Sequence, residues 1–313
     1  MPDASNTGSD ASVSPSVIEA LSQRLRDDDR DTRESAAKSL GTLQGHAALP
    51  AMLRSLKQEQ EKSVLLALVR SIGRIGDRDV AGDLIPLVYH QDKGVRDEAI
   101  DALGFLRNPV AVPDLTKLYE TDAEQRRKLI GIIPLGSSDD LQVKAFEALT
   151  SIGSAGSKKI FAAAIAQPDQ RYRQAAAEGL ARIGETEFVT AVSRQRLIEN
   201  KDGPRMAQSF ALFRMGRREY LEDLIRGLED GNEQAFSYLL EFKRAEVPLL
   251  YPFLESSNAR VRSKVAEALG WIGNAEALKR LDPLAADPNS DVVSSSVQAI
   301  HRINARVAKR PQK

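Results

Sequence analysis

Cysteine is absent from all 313 residues, which excludes disulfides, thiolate metal sites and a cysteine nucleophile. Histidine is scarce: His46, His90 and His301 lie far apart and none sits in a His-Glu pair, so no clustered ligand set for a metal is expected. The chain also has no G-x-S-x-G, no G-x-x-x-x-G-K-[ST] and no H-E-x-x-H. No apolar run approaches the roughly 18–20 residues that span a bilayer. The first residues, MPDASNTGSDASVSPS, have neither the basic nor the apolar region of a signal peptide, so the expected location is cytoplasmic. Neither charge is in excess, with 44 Lys+Arg against 44 Asp+Glu. A general nucleic-acid coat needs a positive surplus, so a nucleic-acid partner is not expected. Period-2 alternation is missing too, and strands are not needed.

What is present is helical repetition. In RVRSKVAEALGWIG, Val261, Val265, Ala268, Leu269 and Ile272 form one apolar stripe at helical spacing. Gly273 stands where a helix end favours a residue tolerant of the left-handed conformation. Related segments are Thr32–Leu43, Val95–Leu106 and Tyr172–Gly184. Anchored on the central Leu or Ile, the repeats fall at Leu40, Ile72, Leu103, Leu149, Leu180, Leu212, Leu239, Leu269 and Ile300, with gaps of 32, 31, 46, 31, 32, 27, 30 and 31. A period near 31 accommodates two helices and two short turns. A partner helix shows in Leu84 and Leu87, Leu115 and Leu118, Tyr251 and Leu254, and Leu281 and Leu284. The gap of 46 holds an insertion within Glu120–Asp140, with Arg126-Arg127-Lys128 followed by the apolar run Leu129–Leu135. A run this apolar is expected to pack back onto the array, the alternative being an extruded binding loop. The gap of 27 requires a trimmed turn.

The arginines seven before their anchors, Arg33, Arg96, Arg173, Arg205 and Arg262, recur with a glycine one residue after the anchor (Gly41, Gly73, Gly104, Gly270) or four after it (Gly76, Gly153, Gly184, Gly216, Gly273). On these residues the chain from 16 to 305 resembles HEAT repeats, in the short form of phycobilisome-lyase-type proteins. The resemblance implies an all-α right-handed α-α superhelix of about nine two-helix repeats in one domain. A disordered tail (1–15) would precede it, the insertion near 120–138 would interrupt it, and a basic tail (306–313) would follow. The Trp, Tyr and Pro positions of tetratricopeptide repeats and the ankyrin T-P-L-H are absent.

The five arginines read as a structural ladder reaching carboxylates along the stack. Four follow an aspartate closely: Asp31, Asp92, Asp169 and Asp202. The resemblance implies that positions six and two before the anchor and two after it line a concave surface. There stand Phe105, Arg182, Met206, Phe210, Arg214 and Trp271, with Arg70, Arg74 and Arg302 among the cations and Asp97, Asp101, Glu147, Glu178 and Glu267 among the acids. Trp271 is the only tryptophan. Aromatic rings and arginines dominate binding hot spots. The expected function is therefore a non-catalytic scaffold or adaptor binding a protein partner on this face, with no enzyme activity and no cofactor. The alternative for the rings is burial against a neighbouring repeat. The resemblance keeps a second function open, an auxiliary subunit of a tetrapyrrole-handling lyase, and behind it a third, a nucleic-acid-binding HEAT-like protein using the ridge Arg70, Arg74, Arg182, Arg214 and Arg302, which the acids named above interrupt.

Overall fold

The structure is a computed structural model that describes residues 14–121 and 139–308. The insertion at 122–138, the tail before Ser14 and the last five residues lie outside the described residues. The described chain is helical, with no strand, and the all-α repeat class expected from the sequence is the class it has. It divides into two compact units, Met1–Phe161 and Ala162–Lys313.

In each unit the anchor helices stack on one another. In the first unit these are Arg30–Thr42, Lys62–Ile75, Lys93–Leu106 and Asp139–Ile152. In the second they are Gln170–Ile183, Asp202–Arg214, the short Glu233–Leu240, Ala259–Ile272 and Ser290–Ala308. Leu40, Ile72, Leu103, Leu149, Leu180, Leu212, Leu239 and Leu269 are all fully buried and form the spine of both cores, whereas the ninth expected anchor, Ile300, is half-buried and Ala299 and Ile303 take the core side of its helix. The glycines beside them allow this close stacking. A Cβ at Gly270 would lie 2.8 Å from Ala299 Cα, and one at Gly41 would lie 2.5 Å from Ser71 Oγ.

Gly273 departs from expectation. Its φ is −70°, so the helix does not end on a left-handed residue. The glycine is required by space, because a Cβ there would meet Leu269 O at 2.4 Å. Gly76, Gly153, Gly184 and Gly216 do take positive φ. The partner helices also differ from even 11–13-residue rods. Ile85–Tyr89, Val247–Glu255 and Asp282–Ala286 are 3-10 segments. Pro86, Pro252 and Pro283 occupy them, and proline removes the N–H that an α-helix would use. At the gap of 27 the shortening falls on the anchor helix itself: Glu233–Leu240 has 8 residues, against 13 for Asp202–Arg214 before it.

Candidate functional site

The repeated arginines act first as staples. Arg173 pairs with Glu199 through Nε (2.6 Å) and Nη2 (2.9 Å), while its Nη1 donates to the carbonyls of Gln167 (2.9 Å) and Pro168 (2.7 Å). Arg33 repeats this with Glu59 and the carbonyls of Asp27 and Asp28. Arg262 repeats it with Asp287 and the carbonyls of Ser256 and Ser257. Each acid closes its partner helix and also accepts backbone N–H groups of the next turn, as Glu199 does from Lys201 at 3.1 Å. One guanidinium thus ties the preceding turn, its own anchor helix and the following partner helix. The hydrogen bond from its arginine holds each of Glu59, Glu199 and Asp287 below the usual carboxylate range.

Two of the aspartates that closely precede the arginines have another role. Asp92 and Asp169 are helix N-caps, accepting from Val95 N–H and Arg171 N–H, and the staple acids lie 25 or 26 residues after the arginine. Arg96 is buried and donates to the carbonyls of His90 and Gln91, both at 2.8 Å. The residue 26 after it, Asp122, lies outside the described residues. Arg205 is exposed, pairs with no acid among the described residues, and lines an open pocket of about 460 Å³ with Arg196, Met206, Asp223 and Arg226. Its unit is the trimmed one, where Gly231 stands 26 residues on.

The expected binding face divides sharply once built. On the second unit, Phe210 is fully buried and stacked on Tyr238, with ring centres 4.3 Å apart. Arg182 donates to Glu241 at 2.6 and 3.0 Å and lies 3.6 Å from Glu178. The Tyr238 hydroxyl donates to Glu178 at 2.7 Å. Burial, with the Glu178 charge beside it, pushes the Tyr238 hydroxyl well above the ordinary tyrosine range. Burial acts to lower the Arg182 guanidinium, but the hydrogen bond to Glu241 and the nearby acids outweigh it and raise it. Arg214 is buried against Glu246 at 2.6 Å. Met206 is half-buried over Gly227, where an added Cβ would lie 2.7 Å from its Cε. These four side chains were expected to face a partner. The short helix at Glu233–Leu240 and the residue after it instead bring Tyr238 onto Phe210 and Glu241 onto Arg182, while Glu246 takes Arg214 and Met206 lines the open pocket beside Arg205; a buried cation must keep its acid.

Two rings stay open. Phe105 is 67% exposed on the first unit and Trp271 53% exposed on the second. Around Phe105 the face carries Arg70 bonded to Glu98 and Lys144 bonded to Asp101 at 2.9 Å. Beside Trp271 the Arg302 guanidinium lies over the indole, 4.2 Å from its centre. Lys264 sits 4.7 Å from the Phe236 ring centre and 3.2 Å from Glu267. In both pairs a cation lies against the face of an aromatic ring, which its quadrupole attracts. Leu197 and Ile198 are exposed as well, a pair that repeat periodicity does not single out. No group of three or more His, Asp or Glu that could hold a metal occurs among the described residues. Among the same residues no helix is long and apolar enough to cross a membrane.

Known proteins give this geometry a context. A family model for HEAT repeats matches residues 55–135 and 234–301, and one for the PBS lyase HEAT-like repeat matches 32–58. Over 93 residues the chain is 30% identical to the bilin biosynthesis protein PecE of Mastigocladus laminosus. That stretch is 30% of this chain and 35% of PecE, so the match spans about a third of the relative's length. Among solved structures, the complex of CpcE and CpcF of phycocyanin lyase from Nostoc is similar at 18% identity and a TM-score of 0.45, covering 91% of this chain and 94% of that one. Yeast importin-beta is similar at 15% identity and a TM-score of 0.48, covering 92% and 45%. Neither structural likeness bears on activity. The expectation that the chain is no enzyme is corrected by the PecE match, since that relative is a bilin biosynthesis protein. The chain is built of HEAT repeats, and the repeat at residues 32–58 is of the PBS lyase HEAT-like kind.

Proposed function

We propose that this chain is a subunit of a bilin-handling enzyme of the lyase type, and that it works by binding a protein partner and a tetrapyrrole on its anchor-helix faces. The observation that carries the reading is the 30% identity with PecE over 93 residues. The open rings, Phe105 and Trp271, support it, because exposed aromatic area on a stacked helix face is the kind of surface that a partner or a flat ligand covers. The scaffold expected from the sequence survives as the way the subunit would meet its partner. The test is affinity capture from the native organism, with wild type beside Phe105→Ala/Trp271→Ala, followed by addition of a bilin to what is recovered. Wild type is expected to recover a protein partner that the double variant loses, and the recovered complex is expected to take up colour. A complex that stays colourless contradicts the reading.

A further inference from the structure

Trp271 and Arg302 come from successive anchor helices of the second unit, Ala259–Ile272 and Ser290–Ala308. The guanidinium lies over the indole at 4.2 Å, yet the residue remains 53% exposed. The end of the Trp271 helix is held firmly, because Arg306 donates to the carbonyls of Gly270 (2.6 Å) and Gly273 (2.9 Å). The charges nearby are unequal. Lys264 has Glu267 at 3.2 Å and Glu233 at 4.0 Å, so both cation and acid are matched there. Arg302 has no acidic partner among the described residues, where its recorded contact is the indole of Trp271. Phe105, the other open ring, has no cation over it among the described residues. An open conjugated ring and an unmatched guanidinium therefore occur together at one place.

A ligand satisfies both groups if it has a flat conjugated face and a carboxylate. The face would cover indole surface now in water. The carboxylate would take the planar fork of Arg302, a charge-assisted pair that lysine matches less well. A bilin has this chemistry, with conjugated pyrrole rings and propionate carboxylates. We propose that Trp271 and Arg302 form a docking point for a bilin, with a pyrrole ring against the indole and a propionate on the Arg302 guanidinium. The proposal rests on the bilin-handling reading and names the place on this chain where the ligand would sit.

Because Trp271 is the only tryptophan, its emission reports the site directly. The experiment titrates the full chain with biliverdin and with biliverdin dimethyl ester, and follows tryptophan quenching. Saturable quenching by the diacid is expected, with the ester binding about tenfold more weakly. Arg302→Gln is expected to lose a similar factor and to bind diacid and ester alike, with an unchanged far-ultraviolet circular dichroism spectrum. Quenching by a bilin bound elsewhere would leave the two ligands and the two proteins indistinguishable, and that result overturns the proposal. Equal saturable binding of an acidic peptide lacking a chromophore would assign the site to a protein segment and overturn it too. If the captured complex takes up bilin while the chain alone shows no saturable quenching, this docking point fails and the bilin-handling reading stands.

Discussion

One repeat position carries two different residues in physical terms. Arg173 grips the buried Glu199, whereas Arg205, at the same place in its repeat, is exposed and meets no acid among the described residues. Arg173→Ala would leave Glu199 as a buried, uncompensated carboxylate, and is expected to cost about 3 kcal/mol in urea unfolding. Arg205→Ala is expected to stay within about 0.5 kcal/mol, as surface substitutions usually do. Equal losses for the two would contradict the staple. The staple also sets a pH dependence. Glu59, Glu199 and Asp287 have folded-state values held down by their arginines. Their contribution is therefore present above the ordinary carboxylate values, about 3.9 for aspartate and about 4.3 for glutamate, and is lost as pH falls through the lowered folded values. Urea midpoints are expected to drop steeply below those values in wild type and less steeply in Glu199→Gln. The recurrence of the arginines was legible in the sequence, but their partners were not, because acids 25 or 26 residues away belong to no local pattern.

At the scale of the helix, the anchor stripe was readable because leucine, isoleucine and glycine recur at a fixed period. The partner helices were read less well, since Pro86, Pro252 and Pro283 turn them into 3-10 segments while the leucine spacing survives. The expected binding face was misjudged at one place, the trimmed repeat. Its short helix stacks Tyr238 on Phe210 and turns Glu241 onto Arg182, closing what an even array would leave open. The glycine spacing makes a testable contrast. Gly270→Ala would push a methyl to 2.8 Å from the Ala299 Cα on a neighbouring helix, and is expected to lower the thermal midpoint by several degrees, as overpacking costs about 1–3 kcal/mol. Gly82→Ala meets nothing within 4 Å and is expected to raise stability by about 0.5 kcal/mol, through helix propensity. A neutral Gly270→Ala in a differential scanning experiment would contradict the close approach of the two helices.

For the whole molecule, composition excluded chemistry more readily than it indicated any. With no cysteine and three scattered histidines, what the repeats offer is surface: two compact stacks with buried anchors and a few open rings. A repeat protein distributes its stability over neighbouring units, so single sites on its faces are free to serve binding without supporting the core. Phe105 and Trp271 remain exposed, whereas Phe210, four positions earlier in its repeat, is buried against Tyr238. The reading as a bilin-handling subunit comes from the relative rather than from any motif, and the sequence alone ranked it second to a plain scaffold. Its most direct test is gel filtration of the chain, together with its captured partner, after incubation with a bilin. The account predicts that visible absorption elutes with the protein, and that less of it does so when Trp271→Ala replaces wild type. Colour that elutes wholly with free bilin would contradict it.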